Sequence, residues 1–243
     1  MQDNNALISK DLRKSYKKKE AVKGVSISLK KGEIVGLLGP NGAGKTTTFY
    51  MIVGMTRPDG GSITLNGEDI THLPMYKRAS MGISYLPQEP SIFRKLSVRD
   101  NIRAVLEIQG RPADEIEDKT EKLLSEFRLT EFADRMGMYL SGGERRRVEI
   151  ARTIALEPEF ILFDEPFAGI DPIAIIELKN MIKYLKDRGM GILLTDHNVR
   201  DTLSITDRAY IMYNGSILDE GSPDKLIGNE TVKKTYLGEE FRL

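Results

Sequence analysis

A glycine-rich segment ending in a lysine and a threonine is the first feature of this sequence suited to chemistry. Residues 39–46 fit the pattern G-x-x-x-x-G-K-[ST], between a short apolar run and a helical pattern. Glycines let backbone N–H groups approach phosphate oxygens, and the following helix presents its positive end to the same anion. Lys45 would reach the β- and γ-phosphates of ATP, and the Thr46 hydroxyl would hold Mg²⁺. The predicted phosphate-binding residues are Gly39, Pro40, Asn41, Gly42, Ala43, Gly44, Lys45, Thr46 and Thr47.

Two adjacent carboxylates, Asp164 and Glu165, follow the apolar run Phe160–Phe163. Asp164 is expected to contact the same Mg²⁺ ion, through a water molecule. Because side chains alternate along a strand, Glu165 would face another direction. There it could act as the general base that activates the attacking water. Without the phosphate loop, the pair would be read equally well as two solvated turn residues.

A histidine and a glutamine follow two further apolar runs. His197 comes after residues 191–195, and it is expected to contact the γ-phosphate and to orient Glu165. Gln88 comes after residues 83–87 and is a candidate neutral ligand of Mg²⁺ or of the attacking water. The alternative for His197 is a histidine bonded locally at a helix start, and a lone glutamine is a weak signal by itself.

The elements that must position these residues are short, continuous apolar runs. Residues 34–38, 160–163 and 191–195 are typical of strands buried on both faces, which indicates a parallel sheet covered by helices. Ligands of such sheets lie beyond the carboxyl ends of the strands, where each run ends in polar residues. Residues 7–29 predict an antiparallel hairpin, and residues 62–67 predict a further short strand and turn. Residues 97–155 predict a largely helical block.

The composition is that of an ordinary globular domain. The 243 residues carry no net charge, 40% are hydrophobic, and there is no cysteine. We therefore expect no disulfide, no thiolate metal site and no nucleic-acid partner. No apolar run is long enough to cross a bilayer, and the polar start has no signal core. We expect a cytoplasmic protein with any membrane association made through partners.

The stretch Leu140–Glu144 reads Leu-Ser-Gly-Gly-Glu. Its simplest interpretation is a capping box, in which Ser141 and Glu144 satisfy backbone donors at a helix start. The bare start at Ser141, Gly142 and Gly143 would also suit a phosphate. It lies far along the chain from the phosphate loop, so one chain is not expected to bring the two together. The following run, Arg145–Arg147, is expected to hold solvated or paired helix residues.

In this order, the motifs resemble those of the ATP-binding cassette family of transporter ATPases over nearly the whole chain. The resemblance implies an α/β fold, a P-loop NTPase domain of the cassette type. Such a domain has a RecA-like parallel sheet core, an antiparallel β subdomain and an inserted α-helical subdomain. Residues 1–243 would form a single domain. Residues 1–96 and 157–222 would be the catalytic core with the β subdomain, 97–156 the helical subdomain and 223–243 a C-terminal tail.

The resemblance also implies roles for single residues. Tyr16 stands at the family's adenine-stacking position, although a surface tyrosine in a polar turn is the alternative. Asp171 matches the acid of the family's aspartate loop, while the residues before it vary from the commonest pattern. The family further implies a head-to-tail homodimer. Each ATP would lie between the phosphate loop of one chain and residues Ser141–Gly143 of the other.

A motor subunit of this kind needs integral membrane permease subunits as partners. In the family, the permease docks near the glutamine loop, where Phe93 would be an apolar anchor and Arg94 a polar contact. Residues 89–101 and 236–243 resemble the ATPase subunits of bacterial lipopolysaccharide exporters. These act at the cytoplasmic face of the inner membrane, where they power extraction of lipopolysaccharide for export to the outer membrane. The ATPases of branched-chain amino-acid importers are the alternative.

Two other classes remain open. A soluble cassette protein acting on ribosomes or DNA usually has two cassettes or long coiled-coil insertions, and neither is present here. A nucleotide-binding module without catalysis is the second. The full set of Lys45, Asp164, Glu165 and His197 argues against it.

Overall fold

The protein is described by a computed structural model that covers residues 5–17, 19–238 and 241. Of the tail residues compared with exporters above, Glu239, Glu240, Arg242 and Leu243 lie outside the described residues. The strands are β1 Ala6–Tyr16, β2 Lys19–Lys30, β3 Ile34–Leu38, β4 Gly60–Leu65, β5 Glu68–Asp69, β6 Ile83–Leu86, β7 Phe160–Asp164, β8 Gly191–Thr195, β9 Arg208–Tyr213 and β10 Ser216–Gly221.

Helices connect and cover these strands. The α-helices are α1 Lys45–Val53, α2 Met75–Ser80, α3 Val98–Ile108, α4 Ala113–Glu126, α5 Gly142–Ala155, α6 Pro172–Asp187, α7 Val199–Leu203, α8 Pro223–Gly228 and α9 Glu230–Val232. Short 3₁₀ turns occur at Thr130–Phe132 and Gly137–Tyr139, and a π-helical turn at Lys233–Leu237. Among the described residues, no helix combines the length and the apolar character that crossing a bilayer requires.

The larger sheet has the strand order β10-β9-β3-β8-β7-β6. All of its pairings are parallel except that of β9 with β10. Strands β3, β7 and β8 are buried along their whole length, as their continuous apolar sequences predict. The register sets Asp164 beside Thr195 at the carboxyl ends of β7 and β8. The predicted site residues therefore leave the sheet at one edge.

The smaller sheet is antiparallel, with the order β2-β1-β4-β5. Leu7 pairs with Leu29 of β2 on one side and with Leu65 of β4 on the other. The predicted hairpin and the predicted short strand are both present. Helix α1 packs in the core that both sheets share, where Phe49 contacts the same apolar cluster as Phe160.

Helices α3, α4 and α5 lie between β6 and β7 in the chain and form a second core against the larger sheet. The hydroxyl of Ser97 accepts the Asp100 N–H at 3.0 Å, which caps α3 as the sequence predicts. The predicted class is confirmed: a mostly parallel sheet core, an antiparallel sheet and a helical block. The limits of the subdomains within residues 1–243 stay a prediction.

One charged side chain, Arg78 in α2, is only 1% exposed. Its Nη1 donates to the carbonyls of Met51 and Ile52 at 2.8 and 2.6 Å, in the last turn of α1. Its other nitrogens donate to the carbonyls of Leu73 and Thr71 at 2.9 and 3.0 Å. Burial lowers the pKa of Arg78 to about 10, and Asp69 opposes this shift. The guanidinium therefore satisfies the end of α1, the helix that starts at Lys45.

We expect the substitution Arg78→Met to lower the free energy of unfolding by about 3 kcal/mol, because it leaves buried carbonyl groups without donors. Urea unfolding of the purified chain measures this value. Lys77→Met is the matched control, since Lys77 is the exposed neighbour in the same helix, and it should change stability by less than about 0.5 kcal/mol. Equal losses for the two variants would contradict a supporting role for Arg78.

Candidate nucleotide-binding and catalytic site

The loop between β3 and α1 requires glycine at two positions. Gly39 has φ 149°, and a Cβ there would lie 2.1 Å from the carbonyl oxygen of Met212 in β9. Gly44 has φ 106°, and its Cβ would lie 2.6 Å from the carbonyl oxygen of Ala21 in β2. The loop therefore passes close to both sheets, where any side chain would collide with backbone.

Lys45 is the first residue of α1 and is buried in this loop. Its Nζ donates to the carbonyl of Gly39 at 2.7 Å and to that of Pro40 at 3.1 Å. Burial lowers the pKa of Lys45, while the carboxylates of Glu165 and Asp164 oppose this shift. The cation is thus held near the two acids that the sequence predicts as its neighbours.

Asp164 is the last residue of β7, and its Oδ2 accepts the Tyr85 hydroxyl at 3.1 Å. Burial raises its pKa, although Tyr85 and Lys45 oppose the shift. Glu165 has already left the strand: its φ is 46°, and its N–H donates to the Thr195 carbonyl at 2.8 Å. Strand alternation is therefore the wrong reason for the different directions of the two acids. A left-handed turn of the backbone separates them.

Glu165 is the point at which three predicted residues meet. The His197 Nε2 lies 2.7 Å from its Oε1, and the Gln88 Nε2 donates to its Oε2 at 2.7 Å. Burial raises the pKa of Glu165, His197 opposes the shift, and Asp164 and Asp196 add to it. A carboxylate with a raised pKa and two orienting partners has the properties of a general base.

One cavity of about 320 Å³ joins Glu165 and His197 with Tyr16 and six of the nine predicted phosphate-loop residues. Its lining consists of Tyr16, Lys19, Ala21, Asn41, Gly42, Gly44, Lys45, Thr46, Thr47, Glu165 and His197. Tyr16 is 47% exposed and lies at the end of β1, opposite Lys19 across the hairpin. Lys19 and Ala21 were missed in the sequence, where Lys19 reads as part of a polar turn. They could have been found from the predicted hairpin, because strand pairing places Lys19 opposite Tyr16.

The other predicted residues lie outside this cavity. Gln88 and Gly142 line an adjoining cavity of about 160 Å³, which also reaches Glu165. Ser141 is exposed and caps α5 in a capping box with Glu144, as the simplest interpretation predicts. Asp171 is exposed and caps α6 by accepting the N–H groups of Ile173 and Ala174. Gly143 packs beside Ala174 of α6.

The predicted coupling residues, Phe93 and Arg94, are exposed in the loop after β6. Phe93 is 42% exposed, and the guanidinium of Arg152 lies 4.3 Å from the centre of its ring. Arg152 also donates to the carbonyl of Ser91 at 2.6 Å. The contact with Arg152 was not predictable from sequence, because Arg152 lies in α5, far along the chain from this loop.

The run Arg145–Arg147 differs from a solvated helix face. Arg146 is buried, and its Nη1 donates to Glu149 at 3.0 Å and to the Pro87 carbonyl at 3.0 Å. Of the two expected states, solvated or paired, Arg146 is paired. Arg146 ties α5 to the segment that carries Gln88.

Asp196 is a further residue whose role was missed. It is buried after β8, and its Oδ2 accepts the Phe167 N–H at 2.8 Å. Its Oδ1 accepts the Asn198 N–H at 2.8 Å. It thereby joins the segment after Glu165 to the segment after His197. The available signal was an acid at the end of a buried strand, as for Asp164.

Fold and site together define a nucleotide-binding cassette, and comparison with known proteins agrees. The family model described as "ABC transporter" matches residues 22–168, which is more than half of the chain. The chain therefore belongs to the ABC transporter family.

Within that family, the chain is similar to proteins named "Lipopolysaccharide export system ATP-binding protein LptB". It is 54% identical to that of Escherichia coli (strain K12) over 98% of this chain and 99% of the relative. It is 53% identical to that of Haemophilus influenzae, with the same coverage. Among solved structures, the ADP conformation of MJ1267, an ATP-binding cassette of an ABC transporter, has a TM-score of 0.86. It is 29% identical and covers 97% of this chain and 99% of its own.

The raised pKa of Glu165 has a consequence for stability. Its folded-state pKa lies above the ordinary value of 4.5, so its ionisation near neutral pH destabilises the fold. We expect Glu165→Gln to raise the melting temperature of the ligand-free protein at pH 7, by about 2 °C or more. The two melting curves should converge as the pH falls through the folded-state pKa towards 4.5. Thermal denaturation between pH 4.5 and 8 measures the melting temperatures. Glu89→Gln is the control, since Glu89 is exposed and its replacement should change the melting temperature little. A lower melting temperature for Glu165→Gln at pH 7 would contradict the prediction.

Proposed function

We propose that this chain binds and hydrolyses MgATP as the ATPase subunit of a lipopolysaccharide exporter. The observation that carries the catalytic part is the Glu165 carboxylate. It is held by His197 and Gln88 at the wall of the cavity that contains Lys45. The transport part is supported by relatives at 53–54% identity over nearly the full length of both chains.

The phosphate loop would hold the nucleotide. Lys45 would exchange its two loop carbonyls for the β- and γ-phosphate oxygens, and the loop N–H groups would bind the remaining oxygens. Tyr16, which lines the same cavity as the phosphate loop, would stack on the adenine. Its exposed ring supports this role, because a base could cover it without displacing core residues.

Mg²⁺ would be held by few protein groups. No group of three or more His, Cys, Asp and Glu side chains within the described ranges could hold a metal ion by itself. Thr46 lines the cavity. Asp164 is the last residue of β7, and Gln88 follows the neighbouring strand β6. A hydroxyl, a carboxylate and an amide oxygen fit Mg²⁺, which retains waters and takes its other ligands from phosphates. The ion would neutralise charge that develops on the transferred phosphate.

Glu165 would act as the general base. Its raised pKa and the neighbouring His197 suit a carboxylate that takes a proton from the attacking water. His197 would contact the γ-phosphate and hold the carboxylate in place. Gln88 would hydrogen-bond to the same carboxylate from the loop that leads to Phe93.

A second copy of the chain would complete the site. Ser141 and Asp171 are exposed and do not line the nucleotide cavity of their own chain. In a head-to-tail homodimer, the start of α5 at Ser141, Gly142 and Gly143 would meet the γ-phosphate bound by the partner. ATP binding would then close the dimer, and hydrolysis would open it.

Membrane permeases of the LptF and LptG type would dock at the loop that carries Phe93 and Arg94. The chain would then lie at the cytoplasmic face of the inner membrane, attached through these partners. The Leu96 N–H donates to the Phe93 carbonyl at 3.1 Å, and the Met138 N–H donates to the Arg94 carbonyl at 2.9 Å. The side chains of Leu96 and Met138 are exposed, so the loop belongs to a wider apolar surface. The alternative, an importer of branched-chain amino acids, is not favoured, since the relatives at 53–54% identity carry the exporter name.

We expect Glu165→Gln to lower the steady-state rate of ATP hydrolysis by roughly 10²–10⁴-fold, because the general base is lost while the binding groups remain. The variant should run as a dimer in gel filtration with MgATP and as a monomer without it. Lys45→Met is the control for nucleotide binding and should stay monomeric in both. A Glu165→Gln protein that stays monomeric at saturating ATP would contradict the proposed site.

Coupling to the membrane makes a separate prediction. Phe93→Ala should reduce co-purification of the chain with its permeases by roughly tenfold or more, because an apolar anchor is lost. The ATPase activity of the isolated chain should not change. Ile108→Ala is the matched control, since Ile108 is 82% exposed in α3. Equal recovery of permease with both variants would place the docking surface elsewhere.

A further inference from the structure

An ion pair outside the cavity joins the two helices that begin at site residues. The Lys179 Nζ in α6 lies 2.9 Å from the Asp201 Oδ1 in α7. Both side chains are partly buried, with 21% and 26% exposure. Helix α6 begins directly after Asp171, and α7 begins two residues after His197.

Asp201 also binds the segment that carries His197. Its N–H donates to the Asn198 Oδ1 at 3.2 Å, and its Oδ2 accepts the Asn198 Nδ2. The Asn198 N–H in turn donates to the Asp196 Oδ1 at 2.8 Å. Asp201 is therefore held by Lys179 on one side and holds the residue after His197 on the other.

His197 needs such support because packing does not fix it. Its side chain is 53% exposed, and its side-chain contact is with Glu165 at 2.7 Å. Helix α7 spans only five residues, so it depends on tertiary contacts for its place. Leu203 anchors its last turn in the core, and the Lys179–Asp201 pair holds its first turn.

We propose that Lys179 is a positioning residue for His197, acting through Asp201 and Asn198. The ion pair fixes α7 against α6 and keeps the imidazole within reach of the Glu165 carboxylate. Because Asp171 caps the same helix that carries Lys179, the pair would connect the predicted dimer contact to the predicted γ-phosphate contact. This inference rests on the proposed function and adds a residue to it.

The test compares two lysines of α6. Lys186 is the control, since its Nζ pairs with the Asp207 Oδ1 at 2.5 Å and Asp207 lies outside α7; the exposures are 30% and 41%. Lys179→Met should lower kcat for ATP about tenfold and leave KM within about twofold, because orientation for chemistry is lost while binding remains. Lys186→Met should leave both values unchanged. Lys179→Arg, which keeps the charge, should retain most of the wild-type kcat.

A double-mutant cycle separates positioning from general stability. In a His197→Ala background, measured by single-turnover hydrolysis, Lys179→Met should cause no further loss. Thermal melting of Lys179→Met should match that of Lys186→Met. Should Lys179→Met fail to fold, Asp201→Asn replaces it, since that change removes the charge and keeps the shape.

Three outcomes would overturn the inference: an unchanged kcat for Lys179→Met, an equal loss for Lys186→Met, or a full further loss in the His197→Ala background. Failure of this inference is distinguishable from failure of the proposed function. If only the inference fails, wild type still hydrolyses ATP and Glu165→Gln still forms an ATP-bound dimer. If the proposed function fails, neither occurs, and the inference falls with it.

Discussion

The site depends on the parallel register of β7 with β8. Asp164 pairs with Thr195, and this register allows the Glu165 N–H to reach the Thr195 carbonyl at 2.8 Å. That bond holds the left-handed turn at Glu165 and leaves His197 two residues further along the neighbouring chain segment. A shift of the register by one residue would turn the side chains of β7 to the opposite faces and separate Glu165 from His197.

The buried carboxylates at the site destabilise the fold, and the apolar cores around them stabilise it. Asp164, Glu165 and Asp196 all have raised pKa values because burial disfavours their charges. Glu165 also has a left-handed backbone, which non-glycine residues rarely adopt. Two apolar cores, one on each face of the larger sheet, hold these groups together. Desolvation at the carboxyl edge of a well-packed sheet thus produces the raised pKa values that candidate catalytic carboxylates show, since fully solvated carboxylates would have ordinary pKa values.

Sequence predicted what local patterns determine. Residues 34–38 and 191–195 are strands as predicted, because a continuous apolar run of that length suits a strand buried on both faces. The phosphate loop was predictable because its glycines and its lysine all lie within residues 39–46. The turn at Glu165, the burial of Arg146 and the two backbone contacts of Asp196 were not predictable. Each depends on a partner that is close only after folding, such as Thr195, Pro87 or Phe167.

In the proposed function, a single chain would provide only part of what the chemistry needs. Tyr16 and His197 are about half exposed, so water reaches the cavity from the side that they line. Electrostatic stabilisation of a transferred phosphate is strongest where water is excluded. The surface that could exclude it must be positive and free of bulky side chains, since it would cover the γ-phosphate. The exposed start of α5 at Ser141 and Gly142 has both properties, but it lies outside the nucleotide cavity of its own chain. The proposed homodimer, closed by the α5 of a second copy and opened when the phosphate leaves, would satisfy this requirement.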